Sequence, residues 1–203
     1  MESNWGWPSA LDPLHHMEDF EERGWVRPGD VPIDCGANAG QMAAFFGLVG
    51  GRAGKVIAFD PFPQNYLQVE AQGRLNTLQN FVSERFGVGP SPKTISLSNE
   101  HQKTADKSVS QDLDDNINVS IVPLDNYIDF RPTFKKLDIE GAEVGALHGA
   151  KELLERCEPR IFAEVHTQFL GEFGHSVKDL FDAIPQSYRI HYKVGGVDRH
   201  FRE

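Results

Sequence analysis

At 203 residues the chain can build one sizeable core with at most a small appendage. It is 39% hydrophobic and 25% charged, as globular chains are, and no apolar run approaches the roughly 18 residues of a membrane span. No membrane partner is therefore expected, and the formal net charge of −10 disfavours a phosphate backbone, so nucleic acid is not expected as partner either.

Taken in order, residues 1–30 read as an N-terminal helical cap. Asp12-Pro13 supplies an N-cap and first-turn pair for a helix Leu14–Arg23, which Gly24 can end. Trp5, Trp7 and Trp25 read as covering the edge of the core or the mouth of the site, with simple packing the better reading. Met1-Glu2-Ser3-Asn4-Trp5 lacks a basic segment followed by an apolar one, so no secretory leader is expected. The two cysteines, Cys35 and Cys157, have no tight spacing. That argues against a disulfide framework or a structural zinc, and reduced thiols fit a cytoplasmic location.

Residues 31–203 then read as one domain. Val31-Pro32-Ile33-Asp34-Cys35 is an apolar strand ending beside an acid, followed by the turn Gly36-Ala37-Asn38-Ala39-Gly40 and a helix opening at Gln41. Gly36 can take a positive φ and lets a ligand approach its backbone, and Asn38 tolerates the left-handed region. Such a turn holds nucleotide-like ligands in doubly wound α/β proteins. Gly47 to Gly54, with four glycines in eight positions, reads as loop. Lys55–Asp60 is a second buried strand ending in an acid, and a helix follows from Gln64 to Leu75. Asn80-Phe81-Val82, Phe86–Gly89 and Lys93–Ser98 are further extended pieces. Residues 99–118 are a polar insert and a candidate lid.

Two later strands, Phe134–Glu140 and Pro159–His166, break the rule that strands covered on both faces read apolar. With period two, Lys136, Asp138 and Glu140 share one face, and Glu164 and His166 share another. Val144–Glu155 is one helix or two, Ser176 opens another, and Tyr188–Phe201 is an antiparallel hairpin. Strands alternating with helices predict a doubly wound, mostly parallel sheet, to which the C-terminal hairpin adds an antiparallel strand.

The acids select a ligand. Asp34 inside the turn would repel a pyrophosphate and suits a ligand with a cationic amine, while Asp60 is placed for ribose hydroxyls. Those two demands fit S-adenosylmethionine and fit NAD poorly.

The sequence resembles the FkbM-type S-adenosylmethionine-dependent methyltransferases. The matching segments are Ile33–Gly40, Val56–Asn65, Pro123–Tyr127, Lys136–Glu143, Leu147–Ala150 and Ala163–His166. The family usually has Glu where Asp60 stands, and the shorter acid changes the reach. The resemblance implies a class I, Rossmann-like methyltransferase fold and methyl transfer, commonly to an oxygen of a sugar or natural-product alcohol. Cofactor contacts are then expected from Asp34, Gly36, Ala37, Asn38, Gly40, Asp60, Pro61 and Phe62. His166 is the first candidate for the base, with Glu164 orienting it and Asp138 where methyl donor and acceptor meet. Asp138 and Glu140 could instead hold Mg²⁺, although no metal is expected. Adenine methyltransferases of nucleic acid usually carry Asp/Asn-Pro-Pro-Tyr/Phe after the fourth strand, where this chain has Asp138-Ile139-Glu140-Gly141. The competing readings are an inactive methyltransferase-fold binding module and an NAD-linked sugar oxidoreductase. The absence of G-x-G-x-x-G counts against the oxidoreductase.

Overall fold

A computed structural model describes Phe20 and residues 24–98, 116–194 and 197–202. The helix expected over Leu14–Arg23 lies, except for the helical Phe20, outside the described residues, as do Trp5 and Trp7. Four buried residues, Pro32–Cys35 (β1), lead through the glycine turn into Gln41–Gly50 (α1). Val56–Phe59 (β2) follows, then Pro63–Leu75 (α2) and Phe81–Glu84 (β3). Gly47 to Gly50 therefore continue α1 instead of forming a loop. A Cβ on Gly47 would lie 2.7 Å from Leu78 Cδ1, so the missing side chain is where that leucine packs.

Gly87–Val88 (β4), Lys93–Ser98 (β5) and Asn116–Val122 (β6) form a separate three-stranded sheet in the order β4-β6-β5. Residues 116–118 thus belong to a strand, which shortens the polar insert. Its remainder, 99–115, lies outside the described residues. A 3₁₀ segment, Leu124–Phe130, leads into Phe134–Leu137 (β7), then Glu143–His148 (α3), Lys151–Cys157 (α4) and Arg160–Ala163 (β8). Thr167–Leu170 (α5), Val177–Asp182 (α6) and the strands Ile190–Val194 (β9) and Val197–Arg202 (β10) complete the chain. The terminal hairpin pairs only within itself among the described residues, so it does not extend the central sheet as the alternation suggested.

The central sheet has five strands, in the order β3-β2-β1-β7-β8, and every pairing in it is parallel. The chain winds outward from β1 to β3 and then resumes on the other side of β1 with β7. The order therefore reverses between β1 and β7, and in open α/β sheets ligands bind beyond the strand ends at such a reversal.

The strand period places two cores on the two faces. Ile33, Cys35, Ile57, Phe59 and Leu137 meet Val144, Leu147, Leu153 and Leu154 of α3 and α4. Val56, Ala58 and Phe134 meet Ala43 and Phe46 of α1. Phe20 plugs this second core, with edge-on contacts to Phe46, Phe134 and Phe162 at 5.7, 5.6 and 4.8 Å between ring centres. Trp25 packs against the same Phe134 and Phe162. Among the described residues no helix is long and apolar enough to cross a membrane.

Candidate active site

The turn after β1 is stitched to the end of β2. The amides of Gly36 and Ala37 both donate to Phe59 O at 3.0 Å, and Gly40 N donates to Ala37 O at 2.8 Å. Gly36, Asn38 and Gly40 all have positive φ, at 80°, 51° and 82°. At Gly36 the requirement is steric as well, since a Cβ there would lie 1.9 Å from the carbonyl oxygen of Asp138. Backbone therefore meets backbone across the reversal point, and only glycine fits. No side chain caps α1, and the first amides of a helix have no intrahelical partner.

Asp60 closes the other side of the turn and is almost fully buried. Its Oδ2 accepts from Asn38 N at 2.9 Å and its Oδ1 from Phe62 N at 3.1 Å. Burial pushes the Asp60 carboxyl up to about 6, against the pull of those two amides. The Asn65 side chain is a third donor to it, so of a carboxylate's about four acceptor positions one is left for a further hydroxyl. Phe62, preceded by the partly buried Pro61, caps the start of α2, with Pro63 in its first turn.

Asp34 has no exposed surface. It is the register partner of Lys136 on β7, and Lys136 Nζ lies 3.3 Å from Asp34 Oδ1. The amine that Asp34 meets therefore comes from the chain itself. Lys136 also donates to Gly36 O at 3.2 Å and to Asp138 Oδ2 at 3.3 Å, so it ties the turn to the residue just past β7. Burial pulls the Lys136 ammonium down, but Asp34 and Asp138 together outweigh burial and hold it above its ordinary value. Burial pushes the Asp34 carboxyl up and Lys136 draws it back only in part. Next to Lys136 in sequence, Lys135 points into the opposite core, where burial pulls its ammonium down to about 8.

The charged residues expected on two strand faces lie mostly past the strands. Asp138 still pairs with β1, through its amide and Cys35 O at 3.1 Å. The chain then turns, with Glu140 at φ 52° and Gly141 at φ 98°, so Glu140 is not placed by the strand period. Glu143, fully buried, holds this turn by accepting from Ile139 N and Gly141 N, both at 3.2 Å. Glu164 N pairs with Leu137 O at 2.9 Å, and His166 lies beyond the end of β8 at the start of α5.

The groups still converge. His166 Nδ1 is 3.5 Å from Glu140 Oε2 and 3.9 Å from Asp138 Oδ1, and His166 Nε2 is 4.0 Å from Glu164 Oε1. Burial, and then the Asp138 charge, hold the Glu164 carboxyl above its ordinary value. Lys136 and Glu143 are the functional residues that sequence reasoning underused. The signal for Lys136 was its place opposite Asp34 in two strands on either side of the reversal. For Glu143 it was an acid two residues past a turn glycine.

The family model of the methyltransferase FkbM domain matches residues 34–191, the span that contains every group just described. The chain belongs to the FkbM methyltransferase family. Its fold is similar to that of the methyltransferase FkbM from Methylobacillus flagellatus KT, with a TM-score of 0.52 and 20% identity over 81% of this chain and 48% of that one. The chain thus spans about half the length of that protein. A putative rRNA-methylase from Clostridium thermocellum shows the same fold, with a TM-score of 0.50 and 15% identity over 92% of this chain and 89% of that one. No curated protein matches the sequence.

The FkbM family implies S-adenosylmethionine as cofactor, and the residues fit it. The cradle at Gly36 has no room for a side chain. Asp60 keeps an acceptor position beside the turn, and the uncapped start of α1 adjoins it.

Proposed function

We propose that the chain is an S-adenosylmethionine-dependent methyltransferase acting on a hydroxyl oxygen of a small molecule such as a sugar or natural-product alcohol. The observation that carries this reading is the cluster of Asp138, Glu164 and His166 beside the Gly36 turn, at the point where the sheet order reverses. When bound, the cofactor supplies a methyl group on sulfonium, which an oxygen nucleophile takes as the sulfur leaves as a thioether. The chain's own work is to position the two reactants and remove a proton.

Asp60 would accept the ribose hydroxyls, Pro61 and Phe62 would border the base, and Asp34, Gly36, Ala37, Asn38 and Gly40 would form and support the turn beneath the methionine end. Lys136 fixes the turn relative to Asp138 by holding Gly36 O and Asp138 Oδ2 at once. The acceptor hydroxyl would give its proton to His166, imidazole being the side chain most often positioned as a general base. Glu164, with its carboxyl held above the usual range, would orient the ring and receive the proton in turn. The net charge of −10 supports a neutral acceptor over a nucleic acid.

Calorimetry against S-adenosylmethionine and NAD, followed by turnover over a panel of hydroxyl acceptors, tests the reading. Binding of S-adenosylmethionine alone is expected, with turnover on at least one alcohol. Folded His166→Ala should lose roughly 10²–10⁴ in turnover at saturating cofactor, with cofactor affinity nearly unchanged. Preference for NAD, or cofactor binding without turnover on any acceptor class, would reject the proposal. Wild-type turnover in His166→Ala would reject only the base.

A further inference from the structure

We propose that Asp138, Glu140 and His166 form a binding site for one divalent metal ion, of the Mn²⁺ type, at the acceptor end of the crevice. Ligand atoms of these three residues all lie within 4.8 Å of one another. The two distances from His166 Nδ1, 3.5 Å to Glu140 Oε2 and 3.9 Å to Asp138 Oδ1, suit a shared ion. With metal–ligand bonds of about 2.1 Å, atoms at a right angle around an ion stand about 3.0 Å apart and opposed atoms about 4.2 Å apart. Both observed distances fall between those limits.

His166 Nδ1 is itself buried and has no hydrogen-bond partner among the described residues. A buried ring nitrogen facing two carboxylates at 3.5 and 3.9 Å without a hydrogen bond to either calls for a proton, a water or a metal ion between them. The surrounding charge favours the metal. Asp34 and Asp138 each lie 3.3 Å from Lys136 Nζ, while Asp138, Glu140 and Glu164 all stand within 4.0 Å of the His166 ring nitrogens. Lys136 contacts Asp138 through Oδ2, whereas the oxygen facing His166 is Oδ1, so the two cations would use different oxygens.

The far side of the ring matches as well. Glu164 Oε1 stands 4.0 Å from Nε2, and metal-bound imidazoles commonly direct their other N–H to a carboxylate. One imidazole nitrogen with two carboxylate oxygens suits a borderline hard ion, and the lack of cysteine argues against a thiophilic one. Three protein ligands leave coordination positions open for water or an acceptor oxygen.

What the ion does rests on the proposed methyl transfer, while its binding does not. Bound to the acceptor oxygen, it would lower the hydroxyl's pKa. His166 would then act as ligand, and the proton would pass to Glu164. In the ion-free protein His166 keeps the role of base.

Titrating the full chain with Mn²⁺ alone, by calorimetry and by electron paramagnetic resonance of the free ion, tests the site without donor or acceptor. One ion per chain is expected. Asp138→Asn and His166→Gln should each weaken binding about tenfold or more. Glu140→Gln changes a largely exposed side chain, keeps the test valid if the other variants fail to fold, and should weaken binding likewise. The exposed acid Glu152→Gln should bind as wild type does. No wild-type binding at roughly millimolar Mn²⁺ would mean that Nδ1 holds a proton only, and would overturn the proposal. Equal affinity in wild type and Glu140→Gln, or equal loss in Glu152→Gln, would overturn it too. Failure of methyl turnover would count against the proposed function and leave this result standing.

Discussion

Removing the Lys136 charge tests whether the crevice is built on a desolvated ion pair. Lys136→Met keeps the stem but deletes the ammonium, leaving Asp34 with no exposed surface and no cationic partner among the described residues. Breaking a buried pair in this way costs about 3–5 kcal/mol, a large share of the about 5–15 kcal/mol that holds a domain together. Asp34→Asn should cost less, because Lys136 keeps Asp138 Oδ2 and Gly36 O. The double variant buries no unpaired charge at this position. It should be destabilised less than the sum of the single variants, with a coupling of about 1–3 kcal/mol.

The pH dependence has a definite sign. Without Lys136 the Asp34 carboxyl rises further in the folded state, so the folded variant binds more protons than the unfolded chain above the ordinary Asp range. Its deficit relative to wild type should therefore shrink as the pH falls from 7.5 toward 5. Urea unfolding of the four proteins at both pH values measures this. A Lys136→Met cost under about 1 kcal/mol, or a deficit that does not change with pH, would show that the pair is solvated and refute the reasoning.

If the Asp60 carboxyl, pushed up to about 6 by burial, accepts the ribose hydroxyls as proposed, it does so most strongly when ionised, and affinity for S-adenosylmethionine should fall as pH drops through 6. Asp60→Ala should weaken binding by about 1–3 kcal/mol and abolish that pH dependence, as read by calorimetry. Gly36→Ala should destabilise far more than Gly29→Ala, by unfolding measurements. Both residues have positive φ and share the roughly 1–2 kcal/mol backbone cost, but only at Gly36 would the new Cβ run into Asp138 O. Equal losses would remove the steric argument for the turn.

The parallel sheet, the glycine turn and the acid after β2 were legible because each is written in adjacent residues. Pro32 to Gln41 contains the strand, the positive-φ positions and the helix start within ten residues. Other features depend on partners far along the chain. Gly47 looked like loop because its helical role is set by Leu78, thirty-one residues later. The hairpin of β9 and β10 was legible as a hairpin, but whether it joins the central sheet is settled by tertiary packing. Asp34 illustrates the limit most plainly. Its place in the turn suggested the amine of a ligand, whereas the register with β7 puts the chain's own Lys136 against it, which no local pattern reveals.

The charged cluster was found from strand periodicity, yet the periodicity fails where it matters. Asp138 and Glu164 each make one pairing beyond the end of their strands, and Glu140 and His166 lie in turns. They meet because the turns are fixed from below. The buried Glu143 carboxylate ties down Ile139 N and Gly141 N. Gly141 in turn is packed so closely that a Cβ would come within 2.8 Å of the Phe169 backbone, and Phe169 N donates to His166 O at 2.8 Å. Glu143, Gly141 and Phe169 thus form one mechanical link from the turn bearing Glu140 to the residue bearing the imidazole. If the proposed chemistry holds, such a site could change acceptor by altering what surrounds it while the link keeps the charged groups in place, which would put substrate choice and chemistry on different residues.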